Sequence, residues 1–173
     1  MRYIVSLLTI CLCLIWAQTL SAASAKANIK GTSEASSISG VASFEDTTQG
    51  LHISVEVHGA PEGIHGFHIH EFGDTSNSGK AAGGHYNPDQ HDHGHIVKDG
   101  FETAHAGDLG NIEIDADGNG KLHLTVPNLF VTGNTHSVAG RGVILHEKPD
   151  DFGQPTGNAG SRIGAGTIVI TGN

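Results

Sequence analysis

The chain has 173 residues, enough for one domain and an export signal, and carries 9 basic residues against 18 acidic ones, a formal charge of −9. That balance argues against nucleic acid or an anionic membrane as a partner, since both repel a net-negative surface. The 13 histidines point instead toward metal binding.

Residues 1–25 have the layout of a secretory signal: Arg2 near the start, an apolar run from Ile4 to Trp16, then small residues that include Ala23, Ser24 and Ala25. The apolar run is shorter than the ~20 residues a bilayer span needs. Cleavage near residues 22–27 would leave a single domain over 28–173, exported to a periplasm or extracellular envelope and free of the membrane. Removal of residues 1–25 takes Arg2 and no acid, which leaves 8 basic residues against 18 acidic and a formal charge of 8 − 18 = −10. It also removes Cys11 and Cys13, so the mature domain has no cysteine although its oxidising destination permits disulfides.

Past the leader, helix signals nearly vanish and short alternating runs take over. Residues 27–31 and 38–45 read as strands joined by the turn "GTSEASS". In "LHISVEVH" Leu51, Ile53, Val55 and Val57 share one face while His52, Ser54, Glu56 and His58 share the other, the pattern of a half-buried strand. A further strand is expected over 65–71. "GNIEID" and "KLHLTV" form a hairpin through "DADGNG", whose Asp-Gly and Asn-Gly pairs tolerate positive φ. Strands over 141–146 and 164–171 complete about eight, which predicts an all-β, eight-stranded antiparallel Greek-key barrel or sandwich, immunoglobulin-like in architecture. Residues 72–108 and 147–163 do not alternate and are rich in Gly, Pro, Asn and Asp. Loops of that length in a small domain usually carry function.

Strand parity sets the candidate ligands. In "HGFHIHEFGD" Phe67 and Ile69 should face the core, so His68 and His70 face the other way, beneath the long loop. The loop adds His85, His91, His93, His95, His105 and Asp108, and His146 ends another strand on the parity opposite Val143 and Leu145. His91 and His95 share strand-like parity with His93, so parity does not separate the three. Imidazole suits copper, zinc, iron and nickel.

The segments "GFHIHEFGD", "GGHYNP", "AHAGDLGN", "HEKPDD" and "GNAGSR", in this order, resemble the copper/zinc superoxide dismutases, most closely the bacterial exported branch. The resemblance implies one copper and one zinc per chain. His68, His70 and His146 match copper ligands, and His85 matches the imidazolate that bridges copper and zinc. His93, His105 and Asp108 match the remaining zinc ligands. Asp150 matches a carboxylate that links a copper-side to a zinc-side histidine, His68 to His93. Arg162 matches the arginine beside copper, which with His85 makes up the catalytic pair, and Thr156 matches a hydroxyl that narrows the substrate channel. His65 matches a histidine that hydrogen-bonds loop backbone. His52, His58, His123 and His136 read as solvated surface. A homodimer is compatible with the resemblance, through a surface the sequence does not pick out.

Two positions depart from the family. Gly79 and Ala165 stand where most members carry an intrachain disulfide, and both halves are absent together. Zinc would then have to hold the loop. The second loop is short and lacks the charged groups that shape the channel elsewhere in the family, which leaves Lys98 as a candidate for drawing in an anion. The implied function is disproportionation of superoxide to dioxygen and hydrogen peroxide. The alternative is a copper/zinc-binding or delivery protein without catalysis, which would need neither Arg162 nor Asp150.

Overall fold

A computed structural model describes residues 22–172. The leader expected over 1–25 lies almost wholly outside the described residues. Its last positions belong to the first strand, β1 (Ser24–Gly31), in which Ala25, Ala27 and Ile29 are buried. The domain therefore begins before the expected boundary at residue 28.

β2 (Ser39–Thr47) and β3 (Gly50–His58) follow, with Leu51, Ile53, Val55 and Val57 fully buried as their parity requires. β4 (Gly63–His70) puts Phe67 and Ile69 into the core. β5 (Asn111–Ile114) and β6 (Gly120–Val126) flank the expected Asp-Gly turn, where Asp115 Oδ1 accepts from the amides of Asp117 and Asn119. β7 (Gly142–His146) and β8 (Arg162–Thr167) complete the eight strands.

The strand order is β2-β3-β6-β5-β4-β7-β8-β1, and the β1–β2 pairing closes the ring. The β3-to-β4 and β6-to-β7 connections each cross over two intervening strands, which is the expected Greek-key arrangement. Closure leaves no barrel edge open and surrounds one continuous apolar core.

Three details differ from the expectation. The strand predicted over 164–171 breaks at Ile168, whose side chain turns into the core while its backbone exchanges hydrogen bonds with Gly140 and Arg141. The chain resumes as a ninth strand, β9 (Val169–Gly172), along the first half of β1. Residues 127–141 form a third irregular connection, which sequence alternation did not reveal because only Leu129, Val131 and Val138 turn inward. Within the first long loop one helical turn, α1 (Ile96–Asp99), anchors Ile96 in the core. Among the described residues no helix is long and apolar enough to cross a membrane.

Candidate metal centre

The loop after β4 folds back onto it. Ile69 donates to Gly107 O, Gly107 to Tyr86 O and Tyr86 to Ile69 O, so three backbone bonds lace His85 and Asp108 over the outward face of β4. That face carries His68 and His70, which are buried despite pointing away from the core. β7 pairs with β4 and brings His146 alongside, and β8 sets Arg162 opposite His146 in register.

Two clusters result, both fully buried: His68, His70, His85 and His146, and His85, His93, His105 and Asp108. Each has its ligand atoms within 4.8 Å of one another. His85 belongs to both. The structure thus brings His93 into the second cluster and leaves His91 and His95 outside it. His91 is held through its backbone by Asn87, and His95 caps α1, its amide donating to Asp99 Oδ2.

His68, His70 and His146 each have one nitrogen engaged by the protein, which aims the other inward. His70 Nδ1 is bound to Gly83 O at 3.1 Å, His146 Nδ1 to Gly160 O at 3.3 Å, and His68 Nε2 to Asp150 Oδ2 at 2.8 Å. The inward atoms make poor sense without a cation. His68 Nδ1 is buried with no hydrogen-bond partner, and His70 Nε2 and His146 Nε2 face one another at 3.3 Å. His93 Nδ1 lies 2.9 Å from Asp108 Oδ2 but out of line for a hydrogen bond, the geometry of two ligands on one ion. The residues therefore fit two metals, a nitrogen-only set that suits copper and a three-nitrogen, one-carboxylate set that suits tetrahedral zinc.

Burial holds His70 down to about 2, His85 to about 4 and His146 to about 3, so all three offer neutral lone pairs at neutral pH. His93 behaves differently: burial lowers it, but Asp108 and Asp150 together outweigh burial and raise it to about 9. Asp150 joins the clusters, accepting from His68 Nε2 and from His93 Nε2 at 2.9 Å. Such carboxylates fix the orientation of the rings they hold.

Sequence reasoning missed the residues that hold Asp150 and His93 in place. Asn111 brackets Asp150, donating to its carbonyl at 3.0 Å and accepting from its amide at 2.7 Å. Gln154 does the same for His93. Asn111 closes the segment "AHAGDLGN" without its role being legible there, and Gln154 lies outside every such segment.

Arg162 lines a cavity of about 190 Å³ with His70, His85, His146, Thr156 and Gly160. Its guanidinium donates to the carbonyls of Gly79 and Gly83, which ties the first loop to β8 where a disulfide would otherwise do so. Ala165 packs with Ala82 and Ile144. Lys98 lies elsewhere, on α1, 5.7 Å from the centre of the Phe152 ring. His65 bonds the carbonyl of His146 as expected. His136 is more than solvated surface. It pairs with Asp89 at 2.7 Å and packs on Phe101, tying the first loop to the 127–141 connection.

A closed Greek-key barrel whose two buried clusters share one imidazole defines a binuclear metalloprotein. A family model described as copper/zinc superoxide dismutase matches residues 38–168. Similar proteins include superoxide dismutase Cu-Zn 5 of Dictyostelium discoideum, 39% identical over 143 residues that cover 78% of this chain and 91% of that one. The extracellular Cu-Zn superoxide dismutase of Drosophila melanogaster is 43% identical over 132 residues, 72% of this chain and 71% of that protein. Among solved structures, the crystal structure of the clock protein EA4 superposes with a TM-score of 0.76 at 36% identity, covering 87% of this chain and 96% of that one. The chain belongs to the copper/zinc superoxide dismutase family.

Proposed function

We propose that this protein disproportionates superoxide, with His68, His70, His85 and His146 holding copper and His85, His93, His105 and Asp108 holding zinc. The observation that carries the assignment is the membership of His85 in both clusters. A carrier of either metal has no use for a ligand that couples the two sites.

When bound, copper supplies a one-electron couple and zinc a fixed positive charge, the chemistry by which two superoxide anions and two protons become dioxygen and hydrogen peroxide. Arg162 binds the anion. Two of its donors are spent on Gly79 and Gly83, and these bonds fix the guanidinium so that its remaining N–H groups serve the cavity. His85 moves the proton: its Nδ1 lies 2.8 Å from Asp108 Oδ1 in the cluster that would hold zinc, which leaves Nε2 for the cluster that would hold copper and for the cavity. Thr156 and Gly160 line the cavity beside Arg162. A chain of formal charge −9 repels anions at long range, so attraction is local, at Arg162.

The leader argues for export, to a periplasm or the extracellular envelope. A relative named extracellular supports this reading. Self-association as a homodimer is part of the proposal, and Phe72, Val169 and Ile170 supply exposed apolar surface for it.

Metal analysis combined with a superoxide-decay assay tests the function. One copper and one zinc per chain with rapid decay, slowed by Arg162→Ala, is expected. A full zinc load without activity after copper addition would move the assignment to a carrier.

A further inference from the structure

Phe152 has φ 60°, a left-handed backbone conformation that bulky residues rarely adopt and that glycine adopts freely. The turn that requires it also delivers the Phe152 amide to Asp150 Oδ1 at 2.8 Å. The backbone alone would favour glycine here, so a reason for phenylalanine must lie in the ring. That ring runs nearly parallel to two imidazoles, 6.5 Å from His93 at 16° and 5.7 Å from His95 at 25°, and Lys98 Nζ stands 5.7 Å from its centre.

The layering is ordered from inside to outside. The His93 side chain has no exposure, whereas Phe152 is 38% exposed and Lys98 lies at the surface. The cavity beside His70, His85 and His146 is lined by neither Phe152 nor His93. Phe152 and His93 thus lie outside the cavity that Arg162 lines, although His85, shared by both clusters, borders it. His95, which ligates nothing in either cluster and keeps a buried Nδ1 without a partner, has its ring in this layer.

We propose that Phe152, with His95 and Lys98 packed on it, is the lid of the zinc cluster. It keeps water and competing ligands from His93 and so sets the rate at which zinc leaves, while copper exchanges through the Arg162 cavity. The inference rests on the zinc reading above. Zinc gives up a ligand most readily when an incoming donor can enter a fifth position. An aromatic ring stacked on the ligand denies that approach, and polar contacts in this layer would invite water instead.

The test uses the copper- and zinc-loaded protein diluted into 4-(2-pyridylazo)resorcinol, with zinc release followed by absorbance. Copper release is followed separately with bathocuproine disulfonate and ascorbate. Phe152→Ala should release zinc on the order of tenfold faster, with copper release unchanged, and Phe152→Tyr should restore slow release. Phe152→Gly, which takes the backbone conformation without strain, should release zinc as fast as the alanine variant. A slow glycine variant beside a fast alanine variant would assign the effect to backbone strain and overturn the lid. So would equal acceleration of both metals, or zinc release from Phe152→Ala at the unaltered rate. Failure of the unaltered protein to take up zinc would instead overturn the zinc reading, and the lid with it.

Discussion

Gly157 lies against Asp150 so closely that a β-carbon at position 157 would overlap Asp150 Oδ1 and stand 2.6 Å from His93 Nε2. The glycine also has φ +74°, a left-handed conformation that strains any other residue. The carboxylate cannot easily yield, because His68, His93 and the Phe152 amide all bond to it. Gly157→Ala is expected to break the link between the two clusters, costing stability beyond the ~1–2 kcal/mol of backbone strain. It should also cost about 10–100-fold in metal affinity. Isothermal titration of the metal-stripped variant with zinc and then copper checks it, and wild-type affinities for both would contradict the argument.

Gln154 grips His93 by both backbone polar groups, its Oε1 accepting from the amide at 3.0 Å and its Nε2 donating to the carbonyl at 2.9 Å. It ties the two long loops together at His93. Gln154→Ala should destabilise by about 1–2 kcal/mol and lower the melting temperature by roughly 2–8 °C. Gln154→Glu keeps the acceptor but loses the donor, so it should not restore wild-type behaviour. Differential scanning calorimetry of the three proteins distinguishes a two-bond clamp from a surface glutamine, which would move nothing.

With no cysteine at Gly79 or Ala165, zinc is expected to help hold the first loop in place. Gly79 and Ala165 cannot be bridged, so the first loop is tied by noncovalent contacts, among them Arg162 to Gly79 and Gly83, Tyr86 OH to Thr135 O, His136 to Asp89, and Gln154 and Asp150 to His93. A disulfide of this kind contributes about 2–4 kcal/mol. Selective removal of zinc should lower the melting temperature by roughly 10 °C and increase proteolysis within residues 72–108. An unchanged melting temperature would show that Arg162 and its neighbours suffice.

How much of this was legible in the sequence depended on where each interaction lies. Alternation in "LHISVEVH" and the Asp-Gly hairpin are local properties, and both appear where expected. Parity placed His68 and His70 opposite the core, but it could not rank His91, His93 and His95. That choice is made by partners far along the chain, Gln154 on the backbone and Asp150 on the ring. Asn111 and Phe152 escaped notice for the same reason, since an amide at the start of a strand or an aromatic in an irregular loop carries no periodic signal. Gly157 stood inside the quoted motif, yet its necessity shows only once Asp150 is seen against it.

The start of β1 constrains where a leader can be cut. Ala25 and Ala27 are buried, and Asp46 donates its amide to the carbonyl of Ala23. Cleavage after Ala25 would remove Ser24 and Ala25 from the β1–β9 pairing, and cleavage after Ala27 would remove Lys26 as well. Cleavage after Ala22 or Ala23, within the expected window of 22–27, would leave β1 whole. N-terminal sequencing of the exported protein should therefore begin at Ala23 or Ser24, and a start at Asn28 would contradict this.

Metal-stripped protein should lose stability on acidification from neutral pH. Burial depresses His70, His85 and His146 to about 2, 4 and 3, well below the ordinary 6.5 that they recover on unfolding. Between these values the unfolded chain binds protons that the folded chain refuses, so stability is full above about 6.5 and falls with pH. Each group contributes a slope of at most about 1.4 kcal/mol per pH unit. Asp108 and Asp150 are held below the ordinary carboxylate range by the histidines bonded to them, which extends the loss below pH 3.8. His93 works in the opposite sense. Raised to about 9, it contributes stability below 6.5 that disappears as pH rises through 9. Five groups act on the acid side and one on the alkaline side, so the stability maximum of the stripped protein should lie near neutrality with the steeper flank toward acid. Urea denaturation in steps from pH 4 to 10 measures both flanks. A flat profile between 6.5 and 4.5 would mean that these imidazoles are not held neutral by burial.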